Sequence, residues 1–131
     1  MITKIVVDGN DGTGKSTRVN ELRKLFPNIP IEDRGIFSEA TLDEELFKPC
    51  KGNEVMSPAQ VEFRKKIANS NTLYIITDAE PETCQKRILE RGDSIDVEYH
   101  NMNDLKKYRK RFWQLINICD RLPNVMVVVT D

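Results

Sequence analysis

Apolar residues along the chain fall into short dense runs and longer, more widely spaced ones. "ITKIVVDG" (residues 2–9) and "TLYIITDA" (residues 72–79) are apolar or β-branched at most positions, and "NVMVVVTD" closes the sequence in the same way. Runs of this length and density predict strands buried on both faces, as in a parallel sheet. "NIPIED" (residues 28–33) is shorter and carries Pro30, which has no N–H, beside the charged Glu32. That pair belongs on an edge strand. Helical segments are predicted over residues 15–26, 58–69, 81–91 and 104–121. Two of them have clear starts: Ser57, Pro58 and Gln60 have capping-box spacing, and Pro81 suits a first helical turn. Residues 35–56 are less legible, with "TLDEELFK" predicting one or two helical turns and "PCKGNE" a loop. Alternation of strand and helix predicts an α/β fold.

Composition narrows the picture without naming a chemistry. The 131 residues are material for one domain, spanning 1–131, and too few for a separate substrate domain. A net charge of −1 gives no overall field favouring nucleic acid or anionic lipid. Three cysteines, Cys50, Cys84 and Cys119, are odd in number and form no CxxC pair, which suits reduced thiols better than disulfides or a zinc site. No apolar stretch approaches the ~20 residues of a membrane helix, and the N-terminal apolar run is short for a signal peptide. The expectation is a soluble cytoplasmic protein without membrane contact.

The chemistry is concentrated where the first strand ends. Gly9, four residues, Gly14, Lys15 and Ser16 satisfy G-x-x-x-x-G-K-[ST] at a strand-to-helix junction. Glycines let backbone N–H groups wrap around a phosphate, and the helix N-terminus adds positive dipole. Lys15 is placed to reach the β- and γ-phosphates of ATP, and the Ser16 hydroxyl to ligate Mg²⁺. The loop Gly9, Asn10, Asp11, Gly12, Thr13, Gly14, Lys15, Ser16 and Thr17 is therefore the candidate nucleotide site.

Asp11-Gly12 before Gly14-Lys15-Ser16-Thr17 resembles the G-x-D-G-x-G-K-[ST]-T form of thymidylate kinases and related deoxynucleotide kinases. Further along, "IEDRGIFSEA" supplies the Asp-Arg pair (Asp33, Arg34) and the later serine (Ser38) of that family. "YIITDAEPETCQKRILERGD" supplies a strand-ending Asp78, Pro81, Arg87, Arg91 and Gly92, while Glu98 and Phe112 match more loosely. The resemblance implies a P-loop NTPase-type three-layer fold with a mostly parallel four-stranded sheet in order 2-1-3-4. It also implies roles. Lys15 stabilises the transferring group, Ser16 and Asp33 organise Mg²⁺, Arg34 and Ser38 bind the acceptor, and Arg87 with Arg91 closes a lid. The implied reaction is ATP-dependent phosphoryl transfer to a deoxynucleoside monophosphate.

The chain departs from the family between its first helix and the Asp-Arg strand. Larger relatives have a strand and several helices between the first helix and the Asp-Arg strand, where this chain has only "PNIPI". Acceptor contacts must then come from Arg34, Ser38 and residues 37–51, with the second subunit of a homodimer as a way to complete them. Two other readings stay open: a P-loop kinase acting on a hydroxyl of a nucleoside or nucleic acid, and a non-catalytic ATP-binding protein. His100 is expected at the surface. The basic helix bearing Lys106, Lys107, Arg109, Lys110 and Arg111 beside Phe112, Trp113 and Leu115 is expected to pack its aromatic face on the sheet, with polyanion binding as the alternative.

Overall fold

A computed structural model describes residues 1–93 and 100–130. Four strands, β1 (Lys4–Gly9), β2 (Ile31–Asp33), β3 (Thr72–Asp78) and β4 (Val125–Val129), form one sheet in the order β2-β1-β3-β4. Every neighbouring pair is parallel, so the sheet is wholly rather than mostly parallel. Five α-helices accompany it among the described residues: α1 (Lys15–Leu25), α2 (Ile36–Ala40), α3 (Pro58–Ala68), α4 (Pro81–Glu90) and α5 (Met102–Ile118), with a 3₁₀ turn at Glu44–Phe47.

Alternation along β1 sorts its side chains between two apolar layers. Ile5 and Val7 join Ile75, Ile31 and Val19 of α1 on one face. Val6 joins Tyr74 and Ile76 on the other, beneath Phe37, Phe63, Ile67, Phe112 and Leu115 from α2, α3 and α5. Phe37, fully buried, meets Phe63 edge-on at 5.3 Å between ring centres and Tyr74 at 5.4 Å. Aromatic pairs of this kind add about 0.5–1.5 kcal/mol to the gain from burial itself. A third group, Ala79, Cys84, Ile88 and Leu105, joins α4 to α5.

Local signals explain most element ends. Ser57 Oγ accepts from Gln60 N at 3.2 Å and Gln60 Oε1 accepts from Ser57 N at 3.1 Å, so the capping box forms. Helix α5 starts two residues before the expected position because the Asn101 side chain caps it, accepting from Asp104 N at 2.9 Å. Strand β2 is shorter than expected: Pro30 lies outside it, although its carbonyl still accepts from Ile5 N at 2.9 Å. It does occupy an edge, where Glu32 pairs with Lys4 at 3.5 Å. Helix α2 was not expected. Its N-cap, Gly35, provides no side-chain cap, and a carboxylate from β1 takes that part instead.

Candidate active site

The register brings the carboxyl ends of the strands level: Val7 sits beside both Asp33 and Ile75, and Gly9 beside Thr77. Ligands of open α/β sheets bind at this end. The loop from Gly9 to Gly14 leaves β1 here, and only glycine fits its tightest approaches. At Gly9, with φ +140°, an added Cβ would lie 2.4 Å from the Thr77 carbonyl oxygen; at Gly12, with φ +79°, it would lie 2.5 Å from that of Cys84. Side chains brace the loop from three sides. The Thr13 and Thr77 hydroxyls are 2.7 Å apart, Asn10 Nδ2 donates to Leu105 O at 2.8 Å, and Thr130 Oγ1 donates to Thr13 O at 2.7 Å.

Lys15 opens α1 and folds back into this loop. Its Nζ donates to Gly9 O at 2.9 Å and Asn10 O at 3.1 Å, and lies 3.7 Å from Asp11 Oδ1. Burial pushes its pKa below the usual lysine value, outweighing the opposing pull of Asp11, with Arg34 adding to the lowering. The two partners of this ion pair thus both shift downward. Asp11 Oδ1 also accepts from Arg34 at 2.5 Å, and Oδ2 lies 2.9 Å from His100 Nε2. Burial raises the Asp11 pKa, but Lys15, Arg34 and His100 together outweigh it and hold the carboxyl below its ordinary value. One carboxylate thereby gathers a neighbour in its own loop and two groups from distant parts of the chain. His100 was expected at the surface, yet it lies in this cluster with a side chain only 15% exposed.

Arg34 follows β2 in a left-handed backbone conformation, φ +67°, its N–H donating to Val7 O at 2.8 Å. That geometry is uncommon for a residue with a side chain. Its guanidinium remains largely exposed at the mouth of a cleft of about 370 Å³. Asp11, Ser38 and Glu39 also line the cleft, together with Tyr108 and Phe112 from α5. Ser38 has a second attachment. Asp8, fully buried at the end of β1, accepts from Gly9 N at 3.0 Å, Gly35 N at 3.1 Å, Ser38 N at 3.0 Å and the Ser38 hydroxyl. Asp8 therefore fixes α2, and with it one wall of the cleft, against the phosphate loop.

Among the described residues, neither the Ser16 hydroxyl nor the Asp33 carboxylate has a hydrogen-bond or ion-pair partner, and both are exposed near the loop. A hydroxyl and a carboxylate are hard oxygen donors. They fit Mg²⁺, which prefers one or two such protein ligands completed by water and phosphate. Asp78 is engaged differently: Arg109 Nε and a terminal guanidinium nitrogen each donate to one of its oxygens at 3.0 Å, and Arg109 also meets Glu80 at 3.0 Å. Arg111 pairs with Glu44 at 2.8 Å and donates to Thr41 O at 2.7 Å. Of the five basic residues noted on this helix, Lys106, Lys107 and Lys110 are exposed. Trp113 is half-buried, and Phe112 and Leu115 are buried against the sheet.

Arg87 and Arg91 are treated differently by the fold. Arg87 donates to Gly12 O at 3.2 Å, Thr130 Oγ1 at 3.0 Å and Thr130 O at 2.5 Å, and so braces the phosphate loop. Arg91 pairs with Asp93. Glu98 lies outside the described residues.

No protein-family model matches the chain, and no curated protein is significantly similar to it in sequence. Its structure is similar to a crystal structure of the YorR protein from Bacillus subtilis in complex with phosphorylated GDP. The TM-score is 0.63 at 19% identity, over 98% of this chain and 85% of that one. The fold is P-loop NTPase-like. Among the described residues no helix is long and apolar enough to cross a membrane.

Proposed function

We propose that this protein transfers the γ-phosphoryl group of ATP to a deoxynucleoside monophosphate, in the manner of a compact thymidylate-kinase-like enzyme. The observation that carries the reading is the convergence of Lys15 and Arg34 on Asp11, beside a cleft lined by Tyr108 and Phe112. One cation belongs to the phosphate loop and the other to the cleft mouth. A donor triphosphate and an anionic acceptor bound there would meet between them. The YorR complex supports a nucleotide as a ligand of this fold.

Phosphoryl transfer depends mainly on positioning and charge stabilisation. Lys15 exchanges the loop carbonyls for the β- and γ-oxygens and follows the charge that develops on the moving group. Backbone N–H groups at the start of α1 hold the β-phosphate. Ser16 and Asp33 would hold Mg²⁺, which when bound neutralises charge across the phosphates. Arg34 presents a planar fork to the acceptor's phosphate, and Ser38 lies beside it. Tyr108 and Phe112 offer aromatic surface to the base.

The decisive experiment measures ADP release from Mg-ATP against a panel of deoxynucleoside monophosphates, nucleosides and DNA. Stimulation by one monophosphate, lost by about 10³-fold or more in Lys15→Ala with the circular dichroism spectrum retained, is the expected result. Silence with every acceptor overturns the assignment. A second reading has its own support: among the described residues Asp33 is a carboxylate without a protein partner, at the end of β2, available to deprotonate a hydroxyl acceptor. On that reading only nucleosides or DNA stimulate turnover, and Asp33→Asn slows the chemical step while ATP affinity is little changed.

A further inference from the structure

Asp11 engages two groups required by the proposed transfer, Lys15 and Arg34, and one that is not, His100. The carboxylate is largely enclosed, so its charge relies on these partners. When a triphosphate enters the loop, Lys15 turns to the phosphates; when an anionic acceptor enters the cleft, Arg34 turns to that phosphate. Both moves weaken the compensation around Asp11. Losing partners leaves an enclosed carboxylate poorly satisfied, and that penalty falls on the liganded state.

His100 has no such competing phosphate. It meets the other carboxylate oxygen, Oδ2, from just before α5, whereas Lys15 and Arg34 share Oδ1. We propose that His100 is a positioning residue of the nucleotide site: it anchors the Asp11 carboxylate and remains its partner when Lys15 and Arg34 move to phosphates. This inference rests on the proposed phosphoryl transfer for its acceptor arm, but its ATP-binding arm stands apart from turnover. Removing His100 weakens the liganded state more than the free one, because the free protein still has both other cations on Asp11.

The test compares His100→Ala with His100→Gln, whose amide N–H can still reach Asp11. His100→Ala is expected to raise the acceptor KM by about tenfold, with a smaller fall in kcat, and to weaken ATP binding in calorimetry. His100→Gln should restore most of both. In an Asp11→Asn background the alanine change should weaken ATP binding less than it does in the wild type, since the carboxylate that His100 anchors is already gone. Thermal unfolding of each variant separates these effects from a loss of fold. An unchanged ATP Kd in His100→Ala, or a glutamine variant as impaired as the alanine one, overturns the inference. If no acceptor supports turnover but His100→Ala still weakens ATP binding, the kinase reading fails and the role of His100 stands.

Discussion

Asp11 shows how one side chain makes stability depend on acidity. Its carboxyl titrates below the usual aspartate value of 3.8 in the folded protein, so below that value the unfolded chain binds the proton more readily than the folded one. The stabilisation is therefore present in full above the unfolded pKa and is lost as the pH falls through the folded pKa. Urea unfolding of wild type and Asp11→Asn should differ by the full amount near neutrality, and the difference should shrink as the pH falls below 3.8. A gap that stays constant would show that the three neighbours do not hold the carboxylate ionised. Residues of this kind were unevenly legible. The G-x-x-x-x-G-K-S pattern is local, so every glycine in it has a reason that can be read without a structure. His100 and Asp11 are 89 positions apart, and nothing in "VEYHN" signals the partner. Asp8 reads as the polar end of a strand, and three of its four donors become evident only once α2 has folded over it.

Elements follow the same division between local and distant causes. The dense apolar runs give β1, β3 and β4, and the capping box and Pro81 give the starts of α3 and α4. Helix α2 escapes a sequence reading because five residues hold too little pattern; Phe37 and Ala40 are buried by the sheet, and Asp8 accepts from its first turn. Helix α5 was legible as amphipathic, but the division of its cations was not. Arg109 ties α5 to the end of β3 through a forked pair with the largely buried Asp78. Arg109→Ala leaves that carboxylate without its counter-charge and should cost about 2–3 kcal/mol in chemical denaturation, below the fully buried case because Arg109 is partly exposed. Arg109→Lys should recover only part of the loss, since an ammonium cannot meet both oxygens in the same plane.

On the scale of the molecule, the sheet order places the phosphate loop on a central strand, with β2 and the Arg34 turn on one side and β3 on the other. Neighbours on both sides therefore converge on the loop. The most distant of these contacts joins Thr130, just beyond β4, to Thr13 and, through Arg87, to Gly12. On the ribosome, the loop that follows β1 emerges more than a hundred residues before Thr130, which braces it. At the usual pace of synthesis that interval is roughly 6–20 s. During it the nascent chain carries the motif without its finished loop, and on the proposed function the ability to hold a nucleotide should arrive abruptly, with the docking of β4.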